Sequence, residues 1–287
     1  MIVIGAGPAG LLTSILLKQH GFNVDLYDKR PSLLNQQIPS KASVNITICA
    51  RGLKSLEIAK LSKQITPLSK QIKGVTWHNQ QSTTFQSYGS TLPQTSPHQL
   101  LSIKRYALTL LLEKKARSLG VKLHFRHKLM HINPTTGTAR FQQEQADGTT
   151  TTIQVTGECI IGADGCYSTV RKCCFTLRGG QLQLAASQKD TTTRTTLQET
   201  RKRTNVGCVL EEQSLGYIEI TTPPIWGNNN TLHVWNRSEC DAFILGLPSS
   251  DNTTTLGIYA NKNTIASYNG DHEQLLTDLF PTTKSSN

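Results

Sequence analysis

Long apolar runs, aromatic residues and paired cysteines are scarce in this 287-residue chain. No run of about eighteen apolar residues occurs, so no transmembrane helix is predicted. The seven cysteines include no Cys-x-x-Cys pair, which argues against a disulfide framework and against a metal site. No signal peptide is expected, because the first predicted strand begins at residue 2. These absences predict reduced thiols and an intracellular, cytoplasmic location.

Positive charge is in excess, with 30 lysines and arginines against 19 acidic residues. The basic residues are scattered, and the densest cluster, Arg194–Arg203, lies in a polar stretch rich in Thr and Gln. Nucleic-acid surfaces combine basic patches with aromatic side chains, and aromatic residues make up only 6% of the chain. We therefore expect no nucleic-acid partner, and expect the charge to favour phosphorylated cofactors.

Residues 1–28 carry the pattern of a dinucleotide-binding βαβ unit. The apolar run Met1–Ile4 leads into the glycine motif Gly5-Ala6-Gly7-Pro8-Ala9-Gly10, and an apolar helical pattern follows. A second strand, Asn23–Tyr27, then ends at the acidic Asp28. This order of strand, glycine turn, helix, strand and acid is what the dinucleotide fingerprint requires.

Each glycine of this motif has a predicted role. Gly5 permits the tight turn, Gly7 lets the backbone approach a pyrophosphate, and Gly10 lets the helix pack closely on the strand. The helix N-terminus attracts phosphate, and Asp28 is expected to accept hydrogen bonds from the adenosine ribose. A glycine-rich turn without a ligand is the alternative.

A second motif, Gly162-Ala163-Asp164-Gly165, follows the apolar strand Cys159–Gly162. A fully apolar strand suggests a return to the parallel sheet, and sites in open α/β sheets lie at the carboxyl ends of strands. Asp164 and Gly165 are therefore candidate cofactor-binding residues. Asp164 as the N-cap of a following helix is the alternative.

The rest of the chain predicts an α/β protein with two domains. An amphipathic helix is expected at Arg105–Leu119, ended by Gly120, and a meander of three strands is expected between Lys128 and Thr156. Further strands are predicted at Tyr217–Thr221, Thr231–Trp235, Ala242–Leu247 and Thr254–Tyr259, before a short helix at Leu275–Phe280. The predicted architecture is a three-layer, Rossmann-like FAD-binding domain (1–70 and 101–175) with an inserted, mostly antiparallel substrate-domain sheet (71–100 and 206–287) and a polar insertion (176–205).

The two glycine motifs together resemble those of the flavoprotein aromatic hydroxylases, and within that family the kynurenine 3-monooxygenases. Five further segments resemble this subfamily: Ser43–Gly52, Leu101–Arg105, Ile160–Arg171, Gly216–Ile220 and Leu232–Arg237. The resemblance implies an enzyme that uses FAD, NADPH and O2 to hydroxylate L-kynurenine to 3-hydroxykynurenine in tryptophan degradation. The flavin does the chemistry, so no catalytic acid or base is assigned to this chain.

The resemblance also implies three site residues. Arg105 corresponds to a cation beside the flavin, with a surface arginine as the alternative. Tyr88 corresponds to a substrate-contacting tyrosine, with a plain surface tyrosine as the alternative. Where the family places an arginine that binds the substrate carboxylate, this chain has Lys73, which supplies charge without the bidentate fork.

The resemblance covers most of the chain but not the family's second flavin signature, which lies further toward the C-terminus. Gly270-Asp271-His272 looks similar to it, but the position corresponds to a surface helix of the substrate domain. We therefore expect a chain truncated relative to its family, without the mitochondrial outer-membrane anchor of eukaryotic members. A related hydroxylase with another substrate, or a non-catalytic FAD-binding remnant, are the alternative functions.

Overall fold

The computed structural model describes residues 1–36, 44–79, 82–88, 100–145, 147–177, 183–185, 209–211, 214–224, 230–237 and 241–280. The strands in these ranges are β1 (Ile2–Ile4), β2 (Asp25–Asp28), β3 (Asn45–Ile48), β4 (Ser69–Ile72), β5 (Gly74–His78), β6 (Thr83–Ser87), β7 (Leu100–Lys104), β8 (Lys122–Phe125), β9 (His127–Asn133), β10 (Thr138–Glu144), β11 (Thr150–Thr156), β12 (Ile160–Gly162), β13 (Gln183–Ala185), β14 (Val209–Glu211), β15 (Leu215–Thr222), β16 (Thr231–Arg237), β17 (Ala242–Pro248) and β18 (Thr254–Asn261). The helices are α1 (Pro8–Gln19), α2 (Ala50–Ile58), α3 (Ser62–Ile65), α4 (Arg105–Ser118), α5 (Thr169–Leu177), α6 (Lys262–Ser267) and α7 (His272–Leu279), with 3-10 turns at Leu33–Asn35 and Thr66–Leu68.

The chain divides into two compact units, one of residues 1–38 and 109–212 and the other of residues 39–108 and 213–287. The predicted FAD-binding domain included residues 39–70 and 101–108, which the structure groups with the second unit. The strands β3 and β4 pair antiparallel with β7, and this sheet is bonded to the rest of the second unit. Asn45 Nδ2 donates to the Ser249 hydroxyl over 2.5 Å, and the Ser250 hydroxyl donates to the carbonyl of Leu68 over 3.0 Å. The assignment of cofactor and substrate roles to the two domains stays a prediction.

The first unit is built on a parallel sheet in the order β12-β1-β2-β8. Ile2 lies opposite Ile160 on one side and Asp25 on the other. The predicted return of the apolar strand after Cys159 to the parallel sheet is confirmed. β1 is a central strand of a sheet with a layer packed on each face, which explains why it is apolar throughout.

Both faces of this sheet are covered. Side chains alternate along a strand, so Ile2 and Ile4 share one face, where they pack with Leu129 and Phe141 of the meander β9-β10-β11. The buried Val3 points to the opposite face, where α1 packs on β1 and β2. The α/β fold class and the predicted meander are therefore confirmed.

The second unit contains a six-stranded sheet in the order β15-β18-β17-β16-β5-β6. All its pairs are antiparallel except β16 with β5, which confirms the mostly antiparallel sheet. Ile244 and Ile258 on one face pack against Leu275 and Leu279 of α7. The amphipathic pattern of α7 therefore serves to cover this face of the sheet.

Most of the predicted polar insertion, residues 176–205, lies outside the described residues. Its start continues α5 to Leu177, and Gln183–Ala185 pairs parallel with Val209–Glu211. None of the helices in the described part of the chain combines the length and apolar character that a bilayer crossing requires.

Candidate functional site

The glycine turn after β1 has the geometry that its glycines predict. Gly5 adopts a φ of +106°, and its N–H donates to the carbonyl of Tyr27 over 2.7 Å. A Cβ added at Gly10 would lie 1.8 Å from the carbonyl oxygen of Gly5. No side chain fits there, so Gly10 is what allows α1 to begin directly on the turn.

Gly7 differs from these two glycines because its surroundings are open. It is the N-cap of α1, with an ordinary φ of −76° and no side-chain cap hydrogen bond. A Cβ built at Gly7 meets no atom of the described chain within 4 Å. The first turn of α1 contains no acidic residue, so its N–H groups and the helix dipole present positive potential at an accessible backbone. This arrangement fits a pyrophosphate.

Asp28 lies at the end of β2 with its carboxylate directed at the same turn. Its Oδ2 atom accepts a 2.6 Å hydrogen bond from the N–H of Ala6, and Arg30 donates to both carboxylate oxygens. Burial opposes ionisation of Asp28, but the hydrogen bonds from Arg30 and Ala6 outweigh it, so the pKa of Asp28 is lowered. The carboxylate is therefore charged at neutral pH.

Asp164 lies at the end of β12 and caps the next helix. Its Oδ2 atom accepts hydrogen bonds from the N–H groups of Thr169 (2.6 Å) and Val170 (3.1 Å), and its Oδ1 atom accepts one from the Ser168 hydroxyl (2.6 Å). The N-cap position of α5 is Ser168, whose hydroxyl accepts from the N–H of Arg171 over 2.9 Å, so Asp164 caps the first turn from further upstream and also binds the N-cap residue. Gly165 has a φ of +82° with open space at its Cβ position.

The structure brings the two glycine motifs together through Ala163. The N–H of Ala163 donates to the carbonyl of Ile4 over 2.7 Å. A Cβ at Gly5 would lie 2.4 Å from the carbonyl oxygen of Ala163, and one at Gly10 would lie 3.2 Å from the Ala163 Cβ. The absence of a side chain at Gly5 and Gly10 is therefore explained by close packing against the Ala163 turn at one end of the sheet.

The second unit holds the other predicted site residues. Tyr88 follows β6 and donates its backbone N–H to the carbonyl of Lys73 over 3.1 Å, so these two residues are neighbours. Burial raises the pKa of the Tyr88 hydroxyl. Lys73 is exposed, and Arg105 is an exposed residue at the start of α4. Their roles toward substrate and flavin stay predictions.

Two side-chain pairings in the structure are not predicted from the sequence. Arg30 binds the carboxylate of Asp28, and a cation two residues after an acid is a local signal for such an ion pair. His78, in β5, has its Nε2 atom 2.8 Å from Nδ1 of His233. That partner is 155 residues away, so no local pattern could reveal it.

The Gly270-Asp271-His272 segment lies where the sequence placed it, at a helix. Gly270 has a φ of +88°, and the carboxylate of Asp271 caps α7 by accepting the N–H of Gln274 over 2.9 Å. These contacts account for both residues without a cofactor.

Comparison with known proteins extends these observations. Residues 1–241 match the family model described as FAD binding domain. The kynurenine 3-monooxygenase of Drosophila willistoni is 26% identical over 97% of this chain and 56% of its own length. That of Cytophaga hutchinsonii is 28% identical over 90% of this chain and 51% of its own length.

A solved structure shows the same fold. The tetrameric form of 2-methyl-3-hydroxypyridine-5-carboxylic acid oxygenase superposes with a TM-score of 0.69 at 20% identity, covering 98% of this chain and 64% of that one. The chain spans about half the length of the two curated relatives described above.

The open Gly7, the uncapped start of α1 and the adjoining Ala163 turn suit the ADP half of FAD, and the match over residues 1–241 confirms FAD as the predicted cofactor. The resemblance to kynurenine 3-monooxygenases is likewise confirmed by the relatives. The chain belongs to the FAD binding domain family.

Proposed function

We propose that this chain forms the FAD-holding part and the substrate-sheet part of an aromatic monooxygenase that hydroxylates L-kynurenine to 3-hydroxykynurenine with NADPH and O2. The observation that carries the proposal is the glycine turn, in which Gly7 is open while Gly5 and Gly10 are packed against the Ala163 turn. The names of the curated relatives support the reaction and substrate.

The residues of this chain would hold the cofactor and orient the substrate. The flavin, when bound, supplies electron transfer from NADPH and the activation of O2. The N-terminus of α1 would bind the pyrophosphate through backbone N–H groups. Asp28 and Arg30 would define the adenosine side of that site. Gly165, with its open Cβ position, would let the backbone approach the cofactor.

Arg105 is proposed to place a fixed positive charge beside the flavin. A cation at that position stabilises the reduced, anionic form of the ring system, because opposite charges attract strongly where water is excluded. Arg105 is exposed in the structure, and its backbone N–H donates to the carbonyl of Val44 over 2.9 Å, which fixes the first turn of α4.

Lys73 and Tyr88 are proposed to contact the substrate. The ammonium group of Lys73 would pair with the amino-acid carboxylate, and the Tyr88 hydroxyl would donate a hydrogen bond. A lysine makes a less directional contact than the bidentate arginine of the family. This difference favours, as a second candidate function, a related hydroxylase that acts on another aromatic substrate.

The test is to purify the chain, look for bound flavin by its visible absorption, and follow NADPH oxidation with and without kynurenine. The proposal predicts bound FAD and a faster oxidation when kynurenine is present. Stimulation by another aromatic compound but not by kynurenine would favour the second candidate. Bound flavin without any NADPH oxidation would identify a non-catalytic FAD-binding protein, and a colourless chain that takes up no FAD would refute all three.

A further inference from the structure

The hairpin of β5 and β6 joins the rest of its sheet along one strand. Among the described strands, β6 lies at the edge of the sheet, and β5 pairs with both β6 and β16. Lys73 and Tyr88, the two residues proposed to contact the substrate, lie at one end of this hairpin, where the N–H of Lys73 donates to the carbonyl of Asn230 over 2.7 Å. The alignment of β5 on β16 therefore determines where both residues lie.

Five polar side chains form a continuous hydrogen-bonded chain across β16, β5 and β6. Its contacts are Thr76 Oγ1 to Thr231 Oγ1 (3.1 Å), Thr231 Oγ1 to Nε2 of His233 (3.1 Å), Nδ1 of His233 to Nε2 of His78 (2.8 Å), and Nδ1 of His78 to Thr83 Oγ1 (3.4 Å). His233 is only 4% exposed, whereas Thr83 is an exposed residue. The chain crosses from β5 to β16 at two places, once between the threonines and once between the histidines.

The order of donors in this chain fixes one tautomer for each imidazole. Thr76 donates to Thr231, so the hydroxyl proton of Thr231 is directed at Nε2 of His233. A neutral imidazole has one donor nitrogen and one acceptor nitrogen, so His233 carries its proton on Nδ1 and donates to His78. His78 then carries its own proton on Nδ1, toward Thr83. Burial favours the neutral form of both rings, because it lowers their pKa values.

Trp235 connects the histidine pair to the apolar core. The rings of His78 and Trp235 are stacked, with centroids 4.4 Å apart and planes inclined by 8°. Trp235 packs in turn against the core cluster that includes Ile244 and Leu275. The hairpin is therefore held at His78 both by a directional hydrogen bond and by a ring contact.

The directional bond specifies the register of β5 on β16. Side chains alternate along a strand, so a slip of one residue would turn His78 to the opposite face of the sheet from His233. Such a slip would leave the buried donor of His233 without an acceptor, which costs more free energy than an imperfect apolar contact. The same slip would move Lys73 and Tyr88 to other positions.

We propose that His78 and His233 are positioning residues, whose hydrogen bond aligns the β5-β6 hairpin on β16 and thereby places Lys73 and Tyr88 for the substrate. The inference rests on the proposed function and deepens it, because it adds two residues that govern substrate affinity without touching the substrate.

The experiment measures the affinity of the FAD-loaded chain for kynurenine by titration calorimetry in the wild type, His78→Leu and His78→Gln. Leucine leaves the Nδ1–H of His233 without its acceptor, so kynurenine affinity should fall by about tenfold. The side-chain oxygen of glutamine can accept from the same N–H, so His78→Gln should bind kynurenine more tightly than His78→Leu. Wild-type affinity in His78→Leu, or equal losses in the two variants, would overturn the proposal.

His272→Leu is the matched control, because it makes the same substitution at an exposed position of α7, and its kynurenine affinity should equal that of the wild type. FAD affinity should be unchanged in every variant, since the glycine turn belongs to the other unit. A loss of FAD affinity in His78→Leu as large as its loss of kynurenine affinity would show general damage to the fold and would contradict the positioning role. Thermal unfolding shows that each variant is folded.

Nitrogen-15 NMR of the imidazole rings at pH 7 tests the hydrogen-bonded chain directly. Both His78 and His233 should carry their proton on Nδ1, and a proton on Nε2 of His233 would overturn the proposal. A wild-type chain that binds FAD but not kynurenine would refute the proposed substrate and this inference with it. Normal kynurenine binding by His78→Leu would refute this inference alone.

Discussion

The backbone N–H of Tyr88 lies 3.1 Å from the carbonyl oxygen of Lys73, to which it donates a hydrogen bond. These residues are fifteen positions apart, and they meet because the hairpin of β5 and β6 folds one back on the other, with Gly74 opposite Ser87. The two residues that the family resemblance assigned to substrate are thereby placed at one end of one hairpin. Their side chains can be tested separately, because one carries a charge and the other does not.

Lys73→Met should raise the kynurenine concentration that half-saturates NADPH oxidation by about tenfold, because an ion pair to the substrate carboxylate is lost. Stimulation by an aromatic amine without a carboxylate should be unchanged. Lys70→Met, on the preceding strand, is the control for a general loss of charge. Equal effects of the two variants would show that Lys73 does not contact the substrate. The measurement is the rate of NADPH oxidation across a substrate titration.

Asp164→Ala should lower the free energy of unfolding by about 1–2 kcal/mol, because the N–H groups of Thr169 and Val170 lose their cap. Asp147→Ala is the matched control. Asp147 accepts similar hydrogen bonds from Thr149, but in an exposed turn of the meander, so its loss should be smaller. Urea unfolding of the FAD-free chain measures both. An Asp164→Ala chain as stable as the wild type would show that the cap is unimportant for the fold.

Local sequence patterns predict most helices and strands well. They do not predict which distant strands pair. The helix predicted at Arg105–Leu119 runs over Arg105–Ser118, because its apolar spacing and the glycine stop at Gly120 are local signals. The strand Leu100–Lys104 just before it is not predicted from the local pattern. Its identity depends on pairing with β3 and β4, and pairing between distant segments leaves no local periodicity.

The candidate site shows the same limit. Gly5 as a turn position and Gly10 as a packing position are predicted correctly, because these roles follow from the backbone of one motif. The sequence left the partners of Asp164 open between a cofactor and the following helix, and it did not predict Arg30 as a partner of Asp28, since a carboxylate can accept from a ligand, a helix or a cation. The partner that a carboxylate binds depends on side-chain geometry. Here Arg30 binds Asp28, and the first turn of α5 binds Asp164.

Glu113→Gln should cost about 1–3 kcal/mol of unfolding free energy, because it removes a buried charge from its partners. Glu113 is 1% exposed, and its carboxylate accepts from the Ser32 hydroxyl, from the N–H of Leu33 and from Arg117. It thus ties the segment after β2 to α4. Thermal or urea unfolding of the FAD-free chain measures the loss.

The control for this prediction is Glu57→Gln, which breaks an exposed pair with Lys54 at 3.1 Å. Exposed pairs contribute little, so this variant should differ from the wild type by no more than about 0.5 kcal/mol. Equal losses in the two variants would mean that burial of Glu113 adds nothing.

Acid should destabilise the second unit through His78 and His233. Burial and the neighbouring His78 lower the pKa of His233 to about 4, whereas an unfolded histidine titrates near 6.5. Between these values the unfolded chain binds a proton that the folded chain does not. The contribution of neutral, buried His233 to the free energy of unfolding is therefore complete above pH about 6.5 and is lost as the pH falls toward 4.

The measurement is urea unfolding at several pH values across this window. His233→Gln should reduce the dependence of unfolding free energy on pH, whatever it does to stability at neutral pH. His272→Gln, at an exposed position on α7, should leave the dependence unchanged. A His233→Gln chain with the full wild-type dependence would assign the acid effect to other groups.

Gly7→Ala should weaken FAD binding without affecting stability, whereas Gly10→Ala should lower stability. At Gly7 the new methyl group meets no described atom within 4 Å and the backbone φ is ordinary, so unfolding free energy should change by no more than about 0.5 kcal/mol. At Gly10 the methyl group would lie 1.8 Å from the backbone oxygen of Gly5. That overlap cannot be relieved by a side-chain rotation and should cost about 3 kcal/mol.

FAD affinity should give the complementary result for Gly7. If the open face of Gly7 is where the pyrophosphate approaches, a methyl group there blocks it, and the affinity should fall by about tenfold or more while the fold is retained. The pair of measurements, urea unfolding without FAD and titration with FAD, distinguishes this from a general weakening of the protein. A Gly7→Ala chain that binds FAD as tightly as the wild type would mean that the cofactor does not approach the turn at Gly7, although packing still requires the glycine at position 10.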